Sequence, residues 1–148
     1  MRDFFDTSVL VAGFRGDHPH HAASIKLLAA ADRKHSACAT HSLAEVYAVM
    51  SALPVKPVIP PAQVLLFIAD IRQRCSVIAL DEEEYYETIC STAAQGYVSG
   101  RVYDALLLRC AVKAEAKTIY TWNLRHFRTL APELTGRIHT PSHEGCCR

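Results

Sequence analysis

The chain has 148 residues and a formal net charge of +1; 50% of its residues are hydrophobic and 21% are charged. This composition excludes a disordered protein, and the length suits one domain with its own core. No apolar run reaches the ~18 residues of a membrane span and no signal-peptide pattern opens the chain, so we expect a cytoplasmic protein without membrane contact. The near-neutral charge neither requires nor excludes a nucleic-acid partner.

Short apolar or β-branched runs alternate with longer helical patterns. We expect a first strand that ends at Phe4-Phe5, and further strands at residues 36–40, 76–80, 118–122 and 137–139. Helices are expected near residues 7–14, 20–32, 41–53, 61–73, 82–95 and 102–115. This alternation predicts an α/β domain with a mainly parallel sheet that helices cover on both faces.

The six cysteines favour a reduced protein. Four of them lie in apolar segments, where a free thiol packs as a small hydrophobic side chain: Cys38, Cys75, Cys90 and Cys110. No Cys-x-x-Cys spacing indicates a zinc site. Cys146-Cys147 fall within residues 140–148, which we expect to form a disordered tail after a single domain over residues 1–139.

Three acidic residues occur in unusually apolar surroundings. Asp6 lies between Phe4-Phe5 and the apolar residues 9–12. Glu45 and Asp104 each lie within a mostly apolar helical segment. Three, four and seven positions on, each is followed by apolar residues: Ala48, Val49 and Ala52 after Glu45, and Leu107, Leu108 and Ala111 after Asp104. Because an ionised carboxylate is costly in such surroundings, we expect a cation, hydrogen-bond donors or a proton to compensate each one.

The predicted topology brings these acids together. Ligands of a parallel sheet bind beyond the carboxyl ends of its strands. Asp6 follows the first strand, Glu45 follows the second, and the helix that begins near Asp104 must start at the same edge because it leads into the fourth strand. Asn123 directly follows that fourth strand. We therefore expect these four polar side chains to converge, and clustered carboxylates favour a hard cation such as Mg²⁺ or Mn²⁺ among them.

Each of these residues also has a purely structural alternative. Asp6 could cap a helix, Asp104 could favour the N-terminus of its helix, and Asn123 could form a turn. Glu45 could pair with Arg109.

Four segments together resemble the signature blocks of PIN domains, and their order and spacing are similar to those of VapC-type toxins. The segments are Asp6-Thr7-Ser8-Val9-Leu10, Leu43-Ala44-Glu45-Val46-Tyr47, Tyr103-Asp104-Ala105-Leu106-Leu107 and Thr121-Trp122-Asn123-Leu124-Arg125-His126-Phe127. The resemblance implies one nuclease domain with a three-layer α/β/α sandwich around a central, mainly parallel sheet. It also implies an endoribonuclease that depends on Mg²⁺ (or Mn²⁺), hydrolyses RNA as the toxin of a toxin–antitoxin pair, binds a cognate antitoxin and forms a homodimer.

The same resemblance implies roles for individual residues. Asp6, Glu45 and Asp104 match the metal-binding acids of the family, and Asn123 occupies a position where many members carry a fourth acid. The hydroxyls of Thr7, Ser8 and Thr121 match groups that support the site, and Thr121 is expected to hold a carboxylate or a metal-bound water. The implied reaction is attack by water, which leaves 5′-phosphate and 3′-hydroxyl ends.

The residues that would contact RNA are less well determined. Tyr97 or Tyr103 could stack a base, and four arginines near the expected site could bind phosphates: Arg15, Arg101, Arg125 and Arg128. Each could equally be an ordinary surface side chain. Two other functions stay open: a PIN-like module that binds RNA or protein without catalysis, and a phosphoryl-accepting receiver domain. The receiver needs a pair of acids after the first strand, which Asp6-Thr7 does not supply.

Overall fold

Five parallel strands form one sheet in the computed structural model, which describes residues 2–142. In chain order the strands are β1 (Asp3–Phe5), β2 (Ser36–Ala39), β3 (Ser76–Ile78), β4 (Thr118–Tyr120) and β5 (Ile138–His139). The helices are α1 (Thr7–Phe14), α2 (His21–Ala30), α3 (Thr40–Ser51), α4 (Pro61–Arg74), α5 (Glu82–Ala94), α6 (Arg101–Lys113) and α7 (Leu124–Leu130), and a 3₁₀ helix (Pro132–Arg137) precedes β5.

Helices cover both faces of the sheet because successive strand residues point to opposite sides. Phe4 and Ile119 pack with apolar residues of α6 and α7. Phe5 and Cys38 pack with apolar residues of α1, α2, α3 and α4 on the other face. The helix α5 lies outside α6 and buries Thr88 and Thr92 toward it. The predicted three-layer α/β/α sandwich is thereby confirmed.

The strand order β3-β2-β1-β4-β5 places β1 in the centre, between β2 and β4. After β1 the chain forms β2 and then β3 on one side of β1. It forms β4 on the other side of β1 only after α6, so the strand order reverses between β1 and β4. Phe5 lies opposite Cys38 on one side and Tyr120 on the other. The residues just after these three strands therefore meet at one edge, where open parallel sheets bind ligands.

The helix α7 and the 3₁₀ helix were not expected from the sequence. At seven residues, α7 is too short to show a clear helical period, and its first residues resembled a turn after β4. Strands were also expected to be longer than they are, since β2, β3 and β4 end one or two residues before the predicted ends. The residues after the strand ends belong to helix starts, caps and turns, which a count of apolar residues does not reveal.

Two further expectations have different outcomes. Cys38, Cys75 and Cys110 are buried free thiols, but Cys90 is exposed, so its predicted burial is wrong. It lies on α5 away from the Thr88 side, and only that side packs against α6. Residues 143–148, with Cys146-Cys147, lie outside the described residues, so the tail and the domain limit at residue 139 stay predictions. None of the helices within residues 2–142 is both long and apolar enough to cross a membrane.

Candidate active site

Asp6 lies where β1 passes into α1, and it is 2% exposed. Its backbone N–H donates to the carbonyl of Tyr120 on the neighbouring strand, at 3.0 Å. Its Oδ2 accepts from the backbone N–H of Ser8, at 3.4 Å, so Asp6 is indeed the N-cap of α1. The capping alternative is therefore correct, but the capping hydrogen bond uses only one of the two carboxylate oxygens of Asp6.

Two hydroxyls donate to that same oxygen. Ser8 Oγ lies 2.7 Å from Asp6 Oδ2, and Thr121 Oγ1 lies 2.8 Å from it. Each hydroxyl in turn accepts from a backbone N–H after β4: Trp122 donates to Ser8 and Asn123 donates to Thr121, both at 2.9 Å. Because these contacts converge on Oδ2, they hold that oxygen in place, and no side chain of residues 2–142 donates to Oδ1.

Glu45 lies in the second turn of α3, with its side chain 34% exposed. Its Oε1 accepts from Thr7 Oγ1 at 3.0 Å, and Thr7 also shares a hydrogen bond of 2.9 Å with the buried hydroxyl of Ser42. Thr7 directly follows Asp6, so this contact brings Glu45 close to the first carboxylate. The ring of His41, one helical turn earlier, approaches with Nε2 3.6 Å from Oε1.

The surroundings of Glu45 differ from the prediction in two ways. The three residues expected to continue its buried face are exposed, namely Ala48, Val49 and Ala52. This side of α3 faces away from the sheet, while Val46 and Met50 face the core. The expected alternative partner, Arg109, instead forms an ion pair with Glu87 on α5, with Nη2 3.2 Å from Oε2. That alternative is therefore wrong.

Asp104 lies in the first turn of α6 and is followed by buried Leu107, Leu108 and Ala111, as its spacing predicted. Its side chain forms no ion pair or hydrogen bond with the residues that the structure describes. Burial raises the pKa of Asp104 to about 6, with further contributions from the negative charges of Asp6 and Glu45, while Arg101 opposes the shift. The three acids therefore share one electrostatic neighbourhood, which we call the carboxylate cluster.

The other two members of the carboxylate cluster also hold protons more tightly than a free side chain does. Burial raises the pKa of Asp6, although the hydrogen bonds from Ser8 and Thr121 act in the opposite direction. Burial likewise raises the pKa of Glu45, with a smaller contribution from Asp6, and the hydrogen bond from Thr7 opposes it. Burial disfavours the charged form of each acid, and repulsion from neighbouring carboxylates adds a smaller contribution for Glu45 and Asp104.

A divalent cation would relieve this repulsion, and the donor chemistry of the cluster fits one. The donors are carboxylate oxygens, which suit Mg²⁺ and Mn²⁺, and within residues 2–142 no Lys or Arg forms an ion pair with any of the three acids. No three His, Cys, Asp or Glu side chains of that range form a ready-made metal site. The ligand atoms of the cluster are therefore of the type that these cations prefer. Binding of a cation would require the three carboxylates to move closer to one another.

Asn123 lies at the same edge but contributes through its backbone. It is the exposed N-cap residue of α7, and its side chain forms no capping hydrogen bond. Its N–H donates to Thr121, which holds Asp6, so the turn alternative describes the contacts of Asn123 well.

The arginines predicted to bind RNA are partly engaged elsewhere. Arg15 forms an ion pair with Asp17 at 2.9 Å, and Arg128 donates to the carbonyl of Ile138 at 2.9 Å. Arg125 is exposed, and Arg101 lies near Asp104. A role for any of them in RNA binding stays a prediction.

Sequence reasoning missed four residues around the carboxylate cluster: His41, Ser42, Tyr103 as a partner of His41, and Trp122. Helical spacing could have revealed the first two, because they precede Glu45 by four and three positions. Trp122 donates from Nε1 to the buried Ser24, at 2.8 Å, and stacks on His20 with ring centroids 3.8 Å apart. No local signal predicts those contacts, since they join residues about 100 positions apart.

Comparison with known protein families shows which family this chain belongs to. The family model described as "PIN domain" matches residues 4–131, which is most of the chain. The chain belongs to the PIN-domain family. Its predicted resemblance to that family is thereby confirmed.

Relatives of this PIN domain are of the VapC type. Ribonuclease VapC40 of Mycobacterium tuberculosis is 35% identical over 124 residues, which cover 84% of this chain and 88% of that protein. The crystal structure of M. tuberculosis VapC20, described as a sarcin-ricin loop cleaving toxin, is similar with a TM-score of 0.66 and 15% identity, over 82% of this chain and 89% of that one. VapBC2 from Rickettsia felis, bound to a DNA fragment from its promoter, gives a TM-score of 0.64 and 18% identity over 95% and 98% of the two chains.

Proposed function

We propose that this PIN-domain protein is a divalent-metal-dependent endoribonuclease that acts as the toxin of a toxin–antitoxin pair. The carboxylate cluster carries the proposal, because it gathers three acids at the ligand-binding edge of the sheet and no Lys or Arg of residues 2–142 forms an ion pair with them. The 35% identity to Ribonuclease VapC40 supports RNA as the substrate. Mg²⁺ is the proposed cation, and Mn²⁺ is expected to replace it because its preference for oxygen ligands is similar.

Asp6, Glu45 and Asp104 would hold the cation. When bound, it would neutralise charge on the phosphate and lower the pKa of a water molecule that attacks the phosphorus. Ser8 and Thr121 hold Oδ2 of Asp6, so Oδ1, to which no side chain of residues 2–142 donates, is the oxygen that would bind the cation. Thr7 holds Glu45 in the same way through Oε1. Asn123 would add an uncharged amide at the edge, which avoids further repulsion of the substrate phosphate.

RNA cleavage by the purified protein after treatment with a chelator tests this proposal. We expect no cleavage without a divalent ion, recovery on addition of Mg²⁺ or Mn²⁺, and products with 5′-phosphate and 3′-hydroxyl ends. Cleavage at full rate in the chelator-treated sample would show that the hydrolysis does not depend on a metal. RNA that binds but stays intact at every Mg²⁺ concentration would favour the non-catalytic binding module instead.

The proposed toxin also has an antitoxin partner and forms a homodimer. Two of the similar structures are VapBC complexes, from R. felis and from nontypeable Haemophilus influenzae, the latter with a TM-score of 0.62 and 14% identity over 95% and 98% of the two chains. Exposed apolar side chains on α4 support a protein partner, since Leu65 is 58% exposed and Leu66 is 70% exposed. Light scattering of the protein alone and with the co-expressed antitoxin would measure both associations; a monomer at every concentration would contradict the homodimer.

A further inference from the structure

Two stacked rings lie beside the carboxylate cluster, and the proposed hydrolysis gives them no role. Tyr103 directly precedes Asp104 in the first turn of α6, and His41 lies one turn before Glu45 in α3. Their ring centroids are 5.1 Å apart and the ring planes differ by 16°. The pair therefore joins the two helices that carry Asp104 and Glu45.

Tyr103 presents a flat apolar surface to solvent. Tyr103 is 48% exposed, although it is a large aromatic residue next to a buried helix face. Its hydroxyl forms no hydrogen bond with any residue in the described range 2–142. His41 covers part of the ring and limits its rotation, so a ligand that stacks there would lose less conformational entropy on binding.

Tyr97, the other tyrosine near the start of α6, is already occupied. Its hydroxyl donates to the carbonyl of Thr129 at 3.3 Å. The guanidinium carbon of Arg101 lies 5.6 Å from its ring centroid, which covers part of the ring face. The structure thus distinguishes two tyrosines that the sequence left equivalent, and it favours Tyr103.

We propose that Tyr103, positioned by His41, is the platform on which one unpaired nucleobase of the RNA substrate stacks, next to the phosphate that is cleaved. This inference rests on the proposed ribonuclease function and names the kind of RNA that the site selects. A base in a duplex has both faces covered by neighbouring bases, whereas an unpaired base can stack on an aromatic side chain. The platform therefore favours single-stranded segments and loops. His41 is a positioning residue, since it acts on the base only through the orientation of Tyr103.

Steady-state cleavage of a single-stranded RNA oligonucleotide by Tyr103→Ala and Tyr103→Phe tests the platform. We expect Tyr103→Ala to raise KM about tenfold with kcat changed by less than about twofold, because a base–aromatic stack of this kind is worth ~1–3 kcal/mol. Tyr103→Phe keeps the ring and should behave as the wild type does. Tyr85→Ala is the matched control, since Tyr85 is 40% exposed on α5 and lies away from the carboxylate cluster. An unchanged KM in Tyr103→Ala would overturn the proposal.

A scan with abasic nucleotides locates the contact on the RNA. Each nucleotide near the cleavage site is replaced in turn by a ribose without its base, and KM is measured for the wild type and for Tyr103→Ala. We expect one position at which the abasic substitution raises KM of the wild type but leaves KM of Tyr103→Ala unchanged, since the stack is already lost. The same abasic profile in both proteins would overturn the assignment, whatever the KM of the variant.

The positioning role of His41 has its own rescue test. His41→Leu removes the stacked ring, whereas His41→Phe keeps it and removes only the approach to Glu45 Oε1. We expect KM for RNA to rise in His41→Leu and to return toward the wild-type value in His41→Phe. Equal KM values for the two variants would show that the stacked ring does not position Tyr103.

Asp104→Asn in the same assays separates this inference from the proposed function. If Asp104→Asn cleaves RNA as the wild type does, the proposed ribonuclease site is wrong and the platform has no reaction to serve. If Asp104→Asn is inactive while Tyr103→Ala keeps a wild-type KM, the ribonuclease proposal stands and the platform alone is wrong.

Discussion

The carboxylate of Asp6 accepts hydrogen bonds from two hydroxyls and a backbone N–H, whereas the carboxylate of Asp104, in the same carboxylate cluster, accepts none from residues 2–142. Asp6 is almost fully buried at the central strand, while Asp104 is only partly buried at the start of α6. The fold therefore fixes the orientation of the Asp6 side chain, whereas no hydrogen bond from the described residues orients the side chain of Asp104. We infer that Asp6 serves stability and metal binding together, and that Asp104 serves metal binding at a cost to the metal-free protein.

The largest expected effect is that of Asp104→Asn on RNA cleavage. We expect kcat/KM to fall by about 10²–10³-fold or more, because the variant would lose a proposed charged metal ligand and the charge stabilisation of the transition state that depends on it. The melting temperature of the metal-free protein should instead rise by a few degrees, on the order of the change that a small gain in stability gives. A variant with lower stability in the absence of metal would contradict the contrast with Asp6.

The sequence predicted much of this contrast but not all of it. Spacing alone placed Asp104 before buried Leu107 and Leu108, and topology placed Asp6 at the edge of the sheet. Spacing failed for Glu45, because α3 lies at the outside of the molecule and its apolar Val49 faces solvent. A helical period shows which residues share a face, but it does not show what that face packs against.

Contacts between distant segments could not be predicted from the sequence either, because they also depend on how the elements pack against one another. Thr121 contacts Asp6 across 115 residues, and the resemblance to the PIN family suggested only that Thr121 would hold some carboxylate or a metal-bound water. The stack of His41 on Tyr103 depends on how α3 and α6 lie relative to each other, which no local pattern specifies. The short helix α7 was missed because seven residues contain too few turns to establish a period.

The next largest effect should come from the hydroxyls that hold Asp6. Thr121→Val removes a donor to Asp6 Oδ2 and leaves the N–H of Asn123 without its acceptor. We expect activity to fall about 10–100-fold, which is typical when a group that orients a metal ligand is lost. Thr121→Ser retains the hydroxyl and should keep most of the activity. Equal activity of the Val and Ser variants would show that this contact does not orient Asp6.

The pH dependence of cleavage should follow Asp104, whose pKa is raised to about 6. Protons and a cation compete for the same carboxylate, so at low Mg²⁺ we expect kcat/KM to fall about tenfold per pH unit below about 6. Added Mg²⁺ should shift the midpoint to lower pH. A midpoint that does not move with Mg²⁺ would mean that the group titrating there is not a metal ligand.

The raised pKa of Asp104 also predicts how the stability of the metal-free protein depends on pH. The sign is opposite to that expected for an acid whose pKa is lowered by folding. Because the folded pKa of Asp104 lies above its ordinary 3.8, the folded state binds the proton more tightly than the unfolded state does. The metal-free protein should therefore lose stability as the pH rises from about 4 to about 6. Melting temperatures across this window should fall less in Asp104→Asn than in the wild type.

The smallest expected effect distinguishes the two acids by stability alone. Asp6→Ala removes the N-cap of α1 and the acceptor of two hydroxyls, so we expect the free energy of unfolding to fall by about 1–2 kcal/mol. Asp104→Ala should leave it unchanged or raise it, since the carboxylate of Asp104 has no hydrogen bond to residues 2–142 to lose. Urea denaturation of both variants without metal measures the difference, and equal losses would remove the contrast.

Binding of Mn²⁺ to the metal-free protein, followed by electron paramagnetic resonance, tests the central claim most directly. We expect the wild type to bind Mn²⁺ and to bind Mg²⁺ in competition with it, and we expect Asp6→Asn, Glu45→Gln and Asp104→Asn each to weaken that binding at least about tenfold, as loss of one charged ligand should. Wild-type affinity for Mn²⁺ in all three variants would contradict the account, because the carboxylate cluster would then not be the metal site.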